Sequence, residues 1–428
     1  MASSILKSLF AENFASFAER VVFTTEVDPS KKEHLDNTFQ VEDSRFNKVS
    51  FLYGANGSGK TFFCKILREI QRLLTFSPLT ATGNIDFLSL PQFKGLDAPV
   101  RPFAFGTEYQ KRPTFFGIDI IIDGITYHYE FGVFGKTIVQ ERLTKKYRRT
   151  EKLLERSDKD IVLRSELKEF EAAKHLVRED ALCLSIAALL NNELASRIVD
   201  AIRDIQVVSM TAARIAPANG KESFSKERIQ KYLTVLQKAD PTLREINVSW
   251  EEQEVARQKV DVDDFENREI IAMKTVVGIK TVHAVDEGGS LANGTPISFF
   301  ADESLGTVKL FTALPYLFDV LESGGVLVVD ELENGLHLSL AKEIVSLFAN
   351  ELTNPNNAQL ICTSHQPLLL DGNYRRDQVW VAHKDTNGKC QLQRMSEYKT
   401  SRAKVNLANR IIEGALGCRP DLFFDNNT

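Results

Sequence analysis

The residues best suited to chemistry form one glycine-rich stretch between a short apolar run and a predicted helix. Its glycines allow a tight turn whose backbone N–H groups point inward, and the N-terminus of the following helix attracts negative charge. A lysine adds a point charge, and a threonine hydroxyl can complete the shell of a Mg²⁺ ion. The pattern G-x-x-x-x-G-K-T therefore predicts a cradle for nucleotide phosphates, formed by Gly54, Ala55, Asn56, Gly57, Ser58, Gly59, Lys60 and Thr61.

A second group of polar residues follows apolar runs in the second half of the chain. Asp330 and Glu331 end the run that begins at Gly325, and His365 comes after the run from Gln359 to Cys362. Asp330 is placed to hold the Mg²⁺ ion, Glu331 to accept a proton from an attacking water, and His365 to contact the terminal phosphate. An acidic pair often only caps a helix, and a lone histidine is usually structural, but the upstream cradle favours the catalytic roles.

A third candidate is the segment Ser304-Leu305-Gly306-Thr307 at the start of another predicted helix. A serine hydroxyl and the N–H groups of a helix N-terminus can bind an anion. The cradle already supplies one such terminus, so we expect Ser304 and Gly306 to meet a nucleotide held by a second copy of the chain. The alternative is that Ser304 is an ordinary N-cap.

The elements that position these residues predict an α/β fold. Val49 to Tyr53 predicts the strand before the cradle, and apolar residues at helical spacing continue to Leu74. Asp123-Gly124 predicts the turn of an antiparallel hairpin, whereas residues 165–237 show helical periodicity. We predict three segments: an N-terminal half with the cradle and an antiparallel β-lobe (1–160), a helical insertion (161–242) and a C-terminal half (243–428). Loops are predicted at 77–112 and 288–294, and a last helix at 402–416.

Length and composition exclude several classes of protein. The chain has 428 residues, of which 43% are hydrophobic and 26% charged, as is typical of a globular protein with more than one packed unit. Its net charge of -5 gives no general attraction to nucleic acid or anionic lipid. Five cysteines without C-x-x-C spacing indicate neither a disulfide framework nor a zinc site. The absence of a secretion signal or a membrane-length apolar run predicts a cytoplasmic protein without membrane contact.

Taken in order, these motifs resemble the ABC-type ATPase heads of the SMC, RecF and OLD class. The cradle is similar to their Walker A motif, Ser304 to Thr307 to a degenerate signature motif, Asp330-Glu331 to Walker B, and His365 to the switch histidine. The resemblance narrows to the RloA/AbiL-type AAA-like ATPases of bacterial anti-phage defence systems. The narrower resemblance rests on the segments Glu12 to Phe17, Ile122 to Tyr127, Asn191 to Glu193, Glu303 to Thr307, Asp330 to His337 and Leu416 to Pro420.

The resemblance implies an ABC-ATPase head that binds ATP and Mg²⁺ and works as a homodimer or a higher oligomer. Each ATP would lie between the cradle of one subunit and the signature segment of another. Phe17 is the candidate for an aromatic residue that stacks on adenine, and Gln110 is the candidate for the Q-loop glutamine. Leu305 replaces the first glycine of the signature motif, and Ala15 stands where relatives often have a basic residue. These departures imply slow hydrolysis, which suits a switch better than a motor.

Two functions follow from the resemblance. The first is an ATPase that acts as a switch or sensor for a separately encoded effector, a nuclease or toxin, in phage defence. The second is a RecF- or SMC-like ATPase that binds DNA in repair, for which Lys145 to Arg149 is the candidate surface, although a solvated strand end also explains that cluster. An OLD-type nuclease is disfavoured because the segment after His365 is too short for a Toprim domain. A P-loop kinase would need neither Ser304 nor Glu331.

Overall fold

The structure, a computed structural model, describes residues 4–80, 98–211, 220–262, 266–287, 290–398 and 407–412. Its strands are β1 (Ile5–Glu12), β2 (Val21–Thr24), β3 (Thr38–Val41), β4 (Ser44–Asn47), β5 (Val49–Gly54), β6 (Thr114–Ile122), β7 (Ile125–Phe134), β8 (Thr137–Lys146), β9 (Thr150–Ser157), β10 (Asp160–Leu163), β11 (Gln206–Ser209), β12 (Leu243–Val262), β13 (Glu266–Glu287), β14 (Ser290–Asn293), β15 (Ile297–Ser298), β16 (Val326–Asp330), β17 (Gln359–Thr363), β18 (Val379–Lys384) and β19 (Cys390–Arg394). Its α-helices are α1 (Lys60–Thr80), α2 (Cys183–Leu189), α3 (Glu193–Arg203), α4 (Lys226–Ala239), α5 (Phe299–Asp302), α6 (Leu305–Ser323), α7 (Leu338–Ala349) and α8 (Leu407–Ile412). Helices of 3₁₀ type include Tyr109–Lys111 and Ser165–Leu176.

The chain divides into two compact units, Met1–Thr211 with Leu317–Thr428 and Ala212–Tyr316. The first unit contains a seven-stranded antiparallel sheet in the order β10-β9-β8-β7-β6-β1-β2. It also contains a six-stranded sheet in the order β11-β16-β17-β5-β18-β19. All neighbours in this second sheet are parallel except the edge pair of β18 and β19. It is therefore the mixed sheet that the cradle motif requires.

The central strands of the mixed sheet are apolar runs buried along their whole length. Every residue of β5, β16 and β17 is buried. Parallel strands have this character because both faces of the sheet are covered, so they lack the alternation of a half-exposed strand. The carboxyl ends of the three strands lie at the same edge of the sheet, and this edge carries the predicted site residues.

Helix α1 shares one hydrophobic core with strands of both sheets in the first unit. Side chains on its buried face pack with residues of β1, β6 and β16, and each buried apolar side chain of this size contributes roughly 1.5–3 kcal/mol. The apolar spacing predicted from the sequence produces this face, which consists of Phe63, Ile66, Leu67, Ile70 and Leu74. The helix that begins at the cradle is thus fixed along most of its length.

The second unit is organised around a long antiparallel strand pair. Strands β12 and β13 pair from Leu243 with His283 to Val262 with Glu266. Strand β13 also pairs with β14 and β15 near its end. Helix α4 leads into β12 and stops at Ala239, just before the sequence Asp240-Pro241 that predicts a helix break. The chain leaves β15 through α5 and enters α6.

The predicted fold class is confirmed: the chain is α/β, with a mixed P-loop sheet, an antiparallel lobe and helices that follow the lobe. The predicted Asp123-Gly124 turn joins β6 to β7. The lobe is larger than the predicted hairpin because β8, β9 and β10 extend it on one side and β1 and β2 on the other. The pairing of β1 with β6 joins segments that are distant in the chain, so local patterns did not reveal it.

Several predicted segments differ from the structure. Helix α1 continues to Thr80, so the predicted loop at 77–112 begins too early, and Ser290–Asn293 is a strand within the predicted loop at 288–294. Strand β11 lies inside the predicted helical insertion at 161–242 but pairs with β16, so the compact units do not follow the predicted boundaries. Helix α8 falls within the predicted helix at 402–416, while the rest of that helix and the motif at 416–420 lie outside the described residues.

Two further observations concern membranes and thiols. None of the helices in the described ranges has the length and apolar character needed to cross a bilayer. Cys64, Cys183, Cys362 and Cys390 are free and buried, and burial raises the pKa of the Cys64 thiol. Cys418 lies outside the described residues. The four described thiols are therefore packing residues rather than reactive ones.

A charged cluster lies on the antiparallel sheet, where Asp119 of β6 pairs directly with His128 of β7. The imidazole contacts Asp119 through Nδ1 and Glu130 through Nε2, the latter at 3.3 Å. The hydrogen bond to Asp119, followed by that to Glu130, raises the pKa of His128 to about 9. Because this pKa exceeds the ordinary value of His, the charged imidazole stabilises the fold below the ordinary pKa, and the stabilisation is lost as pH rises through about 9.

We expect His128→Gln to lower the free energy of unfolding most at about pH 6 and to have little effect at about pH 10, because the ion pairs need the protonated ring. Urea unfolding of the wild type and the variant across this range measures the difference. His175→Gln is the control, since His175 is exposed and its Nδ1 contacts a backbone carbonyl, that of Ala172. A destabilisation by His128→Gln that does not change with pH would contradict the prediction.

Candidate nucleotide-binding site

The glycine-rich loop connects β5 to α1, and its shape depends on two glycines. A Cβ on Gly54 would lie 2.3 Å from the Ala382 carbonyl oxygen of β18, so only glycine lets the two strands approach so closely. Gly59 has a φ of 106°, a conformation that residues with a side chain rarely adopt. Between them, Asn56 and Gly57 are exposed and Ala55 is half-buried. The loop thus leaves an open side at the carboxyl end of β5.

Polar groups inside this loop are suited to phosphate oxygens. Lys60 is only 5% exposed, and its Nζ donates to the carbonyl oxygens of Gly54 at 2.7 Å and Ala55 at 2.9 Å. The Ser58 hydroxyl is buried and has no hydrogen-bond partner among the described residues. The first N–H groups of α1 also lack intrahelical acceptors, as in every α-helix. A buried hydroxyl without a partner among the described residues and a buried lysine beside the loop carbonyls fit a bound triphosphate.

The metal ligands predicted from the sequence lie in contact. The Thr61 hydroxyl at the start of α1 faces the Asp330 carboxylate at the end of β16, with 3.4 Å between Oγ1 and Oδ1. Asp330 is only 3% exposed. A hydroxyl and a carboxylate are hard oxygen ligands of the kind that Mg²⁺ prefers, and Mg²⁺ usually keeps other positions for water and phosphate oxygens. The two residues therefore fit a Mg²⁺ ion bound next to the phosphate cradle.

Glu331 and His365 lie side by side next to this metal position. The two residues follow β16 and β17, and 3.8 Å separates Oε1 of Glu331 from Nε2 of His365. The Glu331 backbone has a φ of 55°, which is uncommon for a residue with a side chain. Its other carboxylate oxygen accepts a hydrogen bond from Asn334 Nδ2 at 2.7 Å. The structure thus brings together the predicted general base and the predicted phosphate contact.

His365 is held in a way that favours its neutral form. Its backbone N–H donates to Glu333 Oε1 at 2.6 Å, which fixes the turn after β17. Burial, followed by the positive charge of Lys60, lowers the pKa of His365 below the ordinary value for histidine. A neutral imidazole can both accept and donate a hydrogen bond near neutral pH, as a contact to a phosphate or to an attacking water requires.

Two residues predicted to contact the nucleotide make other contacts in the structure. Phe17 is 1% exposed and packs under the loop, where a Cβ on Gly59 would lie 3.4 Å from its ring. A ring buried in this way offers no face to an adenine base. Gln110 lies in a 3₁₀ helix, and its Nε2 donates to the Phe103 carbonyl oxygen at 2.7 Å. No hydrogen bond among the described residues joins Gln110 to the loop or to Asp330.

Ser304 and Gly306 belong to the second unit, where they begin α6. The Ser304 hydroxyl accepts a hydrogen bond from the Thr307 N–H at 3.1 Å, so Ser304 is the N-cap of a 19-residue helix. Ser304 is exposed, and so is Leu305, at 60%. Ser304 is therefore an N-cap, which is the role that the sequence offered as the alternative. The N-terminus of α6 is nevertheless exposed at Ser304 and Leu305.

The residue before Ser304 is fixed by a polar network at the base of the long strand pair. Glu303 accepts hydrogen bonds from the Thr281 hydroxyl and from His283 Nε2, the latter at 2.7 Å. Asp240, His283 and Glu303 place their potential ligand atoms within 4.8 Å of one another. Nε2 of His283 contacts Glu303, whereas Nδ1 contacts the Thr242 hydroxyl at 2.8 Å, and that hydroxyl donates to Asp240 at 2.6 Å, which fits a hydrogen-bond relay better than a shared metal ion. The relay fixes the position where α6 begins.

Three residues at the site were not predicted from the sequence. Thr363, at the end of β17, donates to Asp330 Oδ1 at 2.7 Å and accepts from the Glu331 N–H at 2.8 Å. Asn334 binds the Glu331 carboxylate. Cys390 packs against Gly59 from the start of β19. Thr363 lies two residues before His365 at a strand end, and this placement was the one sequence signal that could have suggested its role.

One protein family matches most of the chain. Its model, described as "AAA domain, putative AbiEii toxin, Type IV TA system", matches residues 49–371. This range includes the glycine-rich loop, Ser304, Asp330, Glu331 and His365. No curated protein matches the chain.

Solved structures of SMC heads are similar to the chain over most of its length. The SMC head domain from Thermotoga maritima shares 11% identity, covering 91% of this chain and 98% of that chain at a TM-score of 0.35. An SmcHead bound to the C-winged helix domain of ScpA shares 12% identity, with coverage of 91% and 97% and a TM-score of 0.41. The Smc head domain with an extended coiled coil bound to the C-terminal domain of ScpA, from Pyrococcus furiosus, shares 11% identity, with coverage of 96% and 99% and a TM-score of 0.35. Similarity at this level carries no functional argument.

We expect Lys60→Ala to weaken ATP binding by roughly 10–100-fold, because a hydrogen bond to a charged group contributes about 1.5–3 kcal/mol. Titration with a fluorescent ATP analogue measures the affinity. Lys65→Ala is the matched control, since Lys65 is exposed on the same helix one turn beyond the loop. If both variants bind the analogue as tightly as the wild type, Lys60 has no role in phosphate binding.

Proposed function

The chain belongs to the family of AAA domains described as putative AbiEii toxin, type IV TA system, and we propose that it is a Mg²⁺-dependent ATPase whose nucleotide state controls a separately encoded effector. The effector would be a nuclease or a toxin, and the setting would be defence against phage in the cytoplasm. The family description, which names a toxin and a TA system, supports this setting.

One observation carries the ATPase proposal. The Thr61 hydroxyl lies 3.4 Å from the Asp330 carboxylate, and Glu331 follows Asp330 directly. A phosphate loop, a metal carboxylate and a general base therefore meet at one edge of the sheet. Phosphoryl transfer to water needs these three groups because its catalysis consists mainly of positioning and charge stabilisation. A loop that only bound a nucleotide would not need a carboxylate in the position of Glu331.

The residues can divide the reaction among them. Lys60 and the N–H groups of the loop bind the β- and γ-phosphates, and a Mg²⁺ ion held by Thr61 and Asp330 would neutralise charge on their oxygens. Glu331 accepts a proton from the attacking water as the water oxygen bonds to the γ-phosphorus. The bond from that phosphorus to the bridging oxygen breaks, and ADP leaves with the electron pair. His365, neutral near pH 7, is placed to hydrogen-bond the γ-phosphate.

One feature supports a switch rather than a motor. Leu305 stands in place of the first signature glycine and is 60% exposed, so it limits how closely the backbone of the segment can approach a nucleotide. We infer slow hydrolysis, with an ATP-bound state that lasts long enough to hold or release an effector.

A composite site in a homodimer or higher oligomer is part of the same proposal. Ser304 caps a long helix whose N-terminus is exposed, and Gly306 follows within its first turn. An exposed helix terminus can bind the γ-phosphate of a nucleotide held by a second copy. Supporting this arrangement, Glu303 is bonded by Thr281 and His283, so the terminus is presented by an ordered segment.

DNA binding in repair remains the alternative, with less support. Of the basic cluster, Lys145 forms ion pairs with Glu151 at 3.2 Å and Glu166 at 2.6 Å. The residues from Lys146 to Arg149 are exposed, and three of these four are basic. Four exposed residues on one strand connection form a small surface for a duplex, which usually needs many phosphate contacts.

We expect Glu331→Gln to lower ATP turnover by at least about 100-fold while ATP stays bound, because the amide cannot take the proton of the attacking water. Phosphate release measures turnover, and light scattering with ATP and Mg²⁺ measures mass, which should rise to that of a dimer or larger. Glu351→Gln is the control, since that carboxylate is 80% exposed. Undiminished turnover in the Glu331 variant would remove Glu331 from the role of base.

We expect Lys60→Ala and Ser304→Arg to be inactive when each is assayed alone and to recover partial activity when mixed. In a mixed dimer one site keeps both an intact loop and an intact signature segment, so about a quarter of the wild-type rate is the upper estimate at equal amounts. Phosphate release across a range of mixing ratios tests this. Activity that stays absent at every ratio would count against a site shared between two copies.

A further inference from the structure

A single buried hydroxyl connects the metal carboxylate to the general base. Thr363 is 1% exposed at the end of β17, and its Oγ1 donates to Asp330 Oδ1 at 2.7 Å. The same oxygen accepts from the Glu331 N–H at 2.8 Å. A threonine hydroxyl has one proton to donate and two lone pairs to accept, so both bonds can exist at once. Each bond constrains one of two consecutive residues that would act in hydrolysis.

The backbone of Glu331 needs this support. Its φ of 55° lies in the left-handed region, which costs free energy for a residue with a Cβ. The Glu331 N–H is fixed by Thr363, and the Leu332 N–H donates to the Thr363 carbonyl oxygen at 3.1 Å. The Glu331 carbonyl oxygen accepts from the Asn334 N–H at 2.8 Å. Hydrogen bonds on both sides of Glu331 therefore stabilise a backbone conformation that is unfavourable for a residue with a side chain.

The carboxylate of Glu331 is oriented by a second residue. Asn334 Nδ2 donates to Oε2 at 2.7 Å, while Oε1 lies 3.8 Å from His365 Nε2. The amide holds one oxygen and leaves the other directed toward the imidazole. Thr363 thus binds the N–H of Glu331, and Asn334 binds both its carbonyl oxygen and its carboxylate.

We propose that Thr363 and Asn334 are positioning residues for hydrolysis, with the Thr363 hydroxyl coupling the orientation of the metal ligand Asp330 to that of the base Glu331. This inference rests on the proposed ATPase function. Neither residue is assigned a contact with the nucleotide or with water. Because one hydroxyl serves both residues, its loss should disturb metal binding and catalysis together, whereas loss of the Asn334 amide should disturb catalysis alone.

Thr363→Val is the decisive variant, because valine has the shape of threonine but cannot hydrogen-bond. We expect kcat to fall roughly 10–100-fold, which is the usual effect of removing a group that orients a metal ligand, and the Mg²⁺ concentration for half-maximal rate to rise by a similar factor. ATP affinity without Mg²⁺ should stay within about twofold, since the phosphate loop is untouched. Thr363→Ser keeps the hydroxyl and should restore both quantities to within roughly threefold of the wild type.

Thr25→Val provides the matched control. Thr25 is fully buried in the same unit, and its hydroxyl donates to the Leu6 carbonyl oxygen at 2.6 Å. This change removes a buried threonine hydroxyl of the same kind without touching Asp330 or Glu331. It should lower the unfolding temperature and leave kcat and the Mg²⁺ dependence unchanged. A loss of activity that appears equally in both valine variants would assign the effect of Thr363→Val to general destabilisation and overturn the proposal.

Asn334→Ala tests the second residue and does not depend on a substitution in the core, since Asn334 is half-buried. We expect kcat to fall about tenfold while the Mg²⁺ dependence and the KM for ATP stay as in the wild type.

Wild-type kcat and Mg²⁺ dependence in both Thr363→Val and Asn334→Ala would contradict the inference. If the wild type itself fails to hydrolyse ATP, the proposed function is wrong. The coupling is then judged by fluorescent-ATP titration with and without Mg²⁺, in which Thr363→Val should lose the metal-dependent part of the affinity and Thr363→Ser should keep it.

Discussion

The parallel pairing of β17 with β5 on one side and with β16 on the other is the interaction on which the site depends. Thr363 pairs with Leu52 and Cys362 with Val329, so the strands end together and Asp330 emerges beside Thr363. Side chains alternate between the faces of a strand, and a slip of one residue would turn each buried side chain to the opposite face. Both faces of the three strands are packed, so such a slip would force the close-packed side chains on each face to repack. The register therefore fixes which groups meet at the edge of the sheet.

Burial at this edge determines how the polar groups behave. Lys60 and Asp330 are 5% and 3% exposed, and charges removed from water must be bonded or paired. The loop carbonyl oxygens accept hydrogen bonds from Lys60, and the hydroxyls of Thr61 and Thr363 contact the Asp330 carboxylate. These contacts hold both side chains in place. The buried Ser58 hydroxyl lacks such a partner in the described structure. The edge combines ordered charges with an unused hydrogen-bonding group, as expected where an anionic ligand binds.

Sequence alone predicts the parts of this site that are encoded locally. The loop, the start of α1 and the Asp330-Glu331 strand end follow from glycine spacing, an apolar helix face and an apolar run, and the α/β class follows from them. The resemblance makes Phe17 a candidate for stacking on adenine, but its burial in the core beneath Gly59 depends on packing between distant segments. The strand β11 and the role of Thr363 depend on pairings between segments far apart in the chain. Apart from the placement of Thr363 at a strand end just before His365, contacts of this kind leave no short-range pattern in the sequence.

The central claim is that Thr61 and Asp330 hold one divalent ion against phosphates bound by residues 54–61. A crystal structure with Mn²⁺ and a non-hydrolysable ATP analogue, phased to show the anomalous signal of manganese, tests it most directly. The account predicts an anomalous peak at bonding distance from the Thr61 hydroxyl, adjacent to the Asp330 carboxylate, with the triphosphate in the loop. A peak remote from both residues, or a triphosphate bound outside the loop, would contradict it.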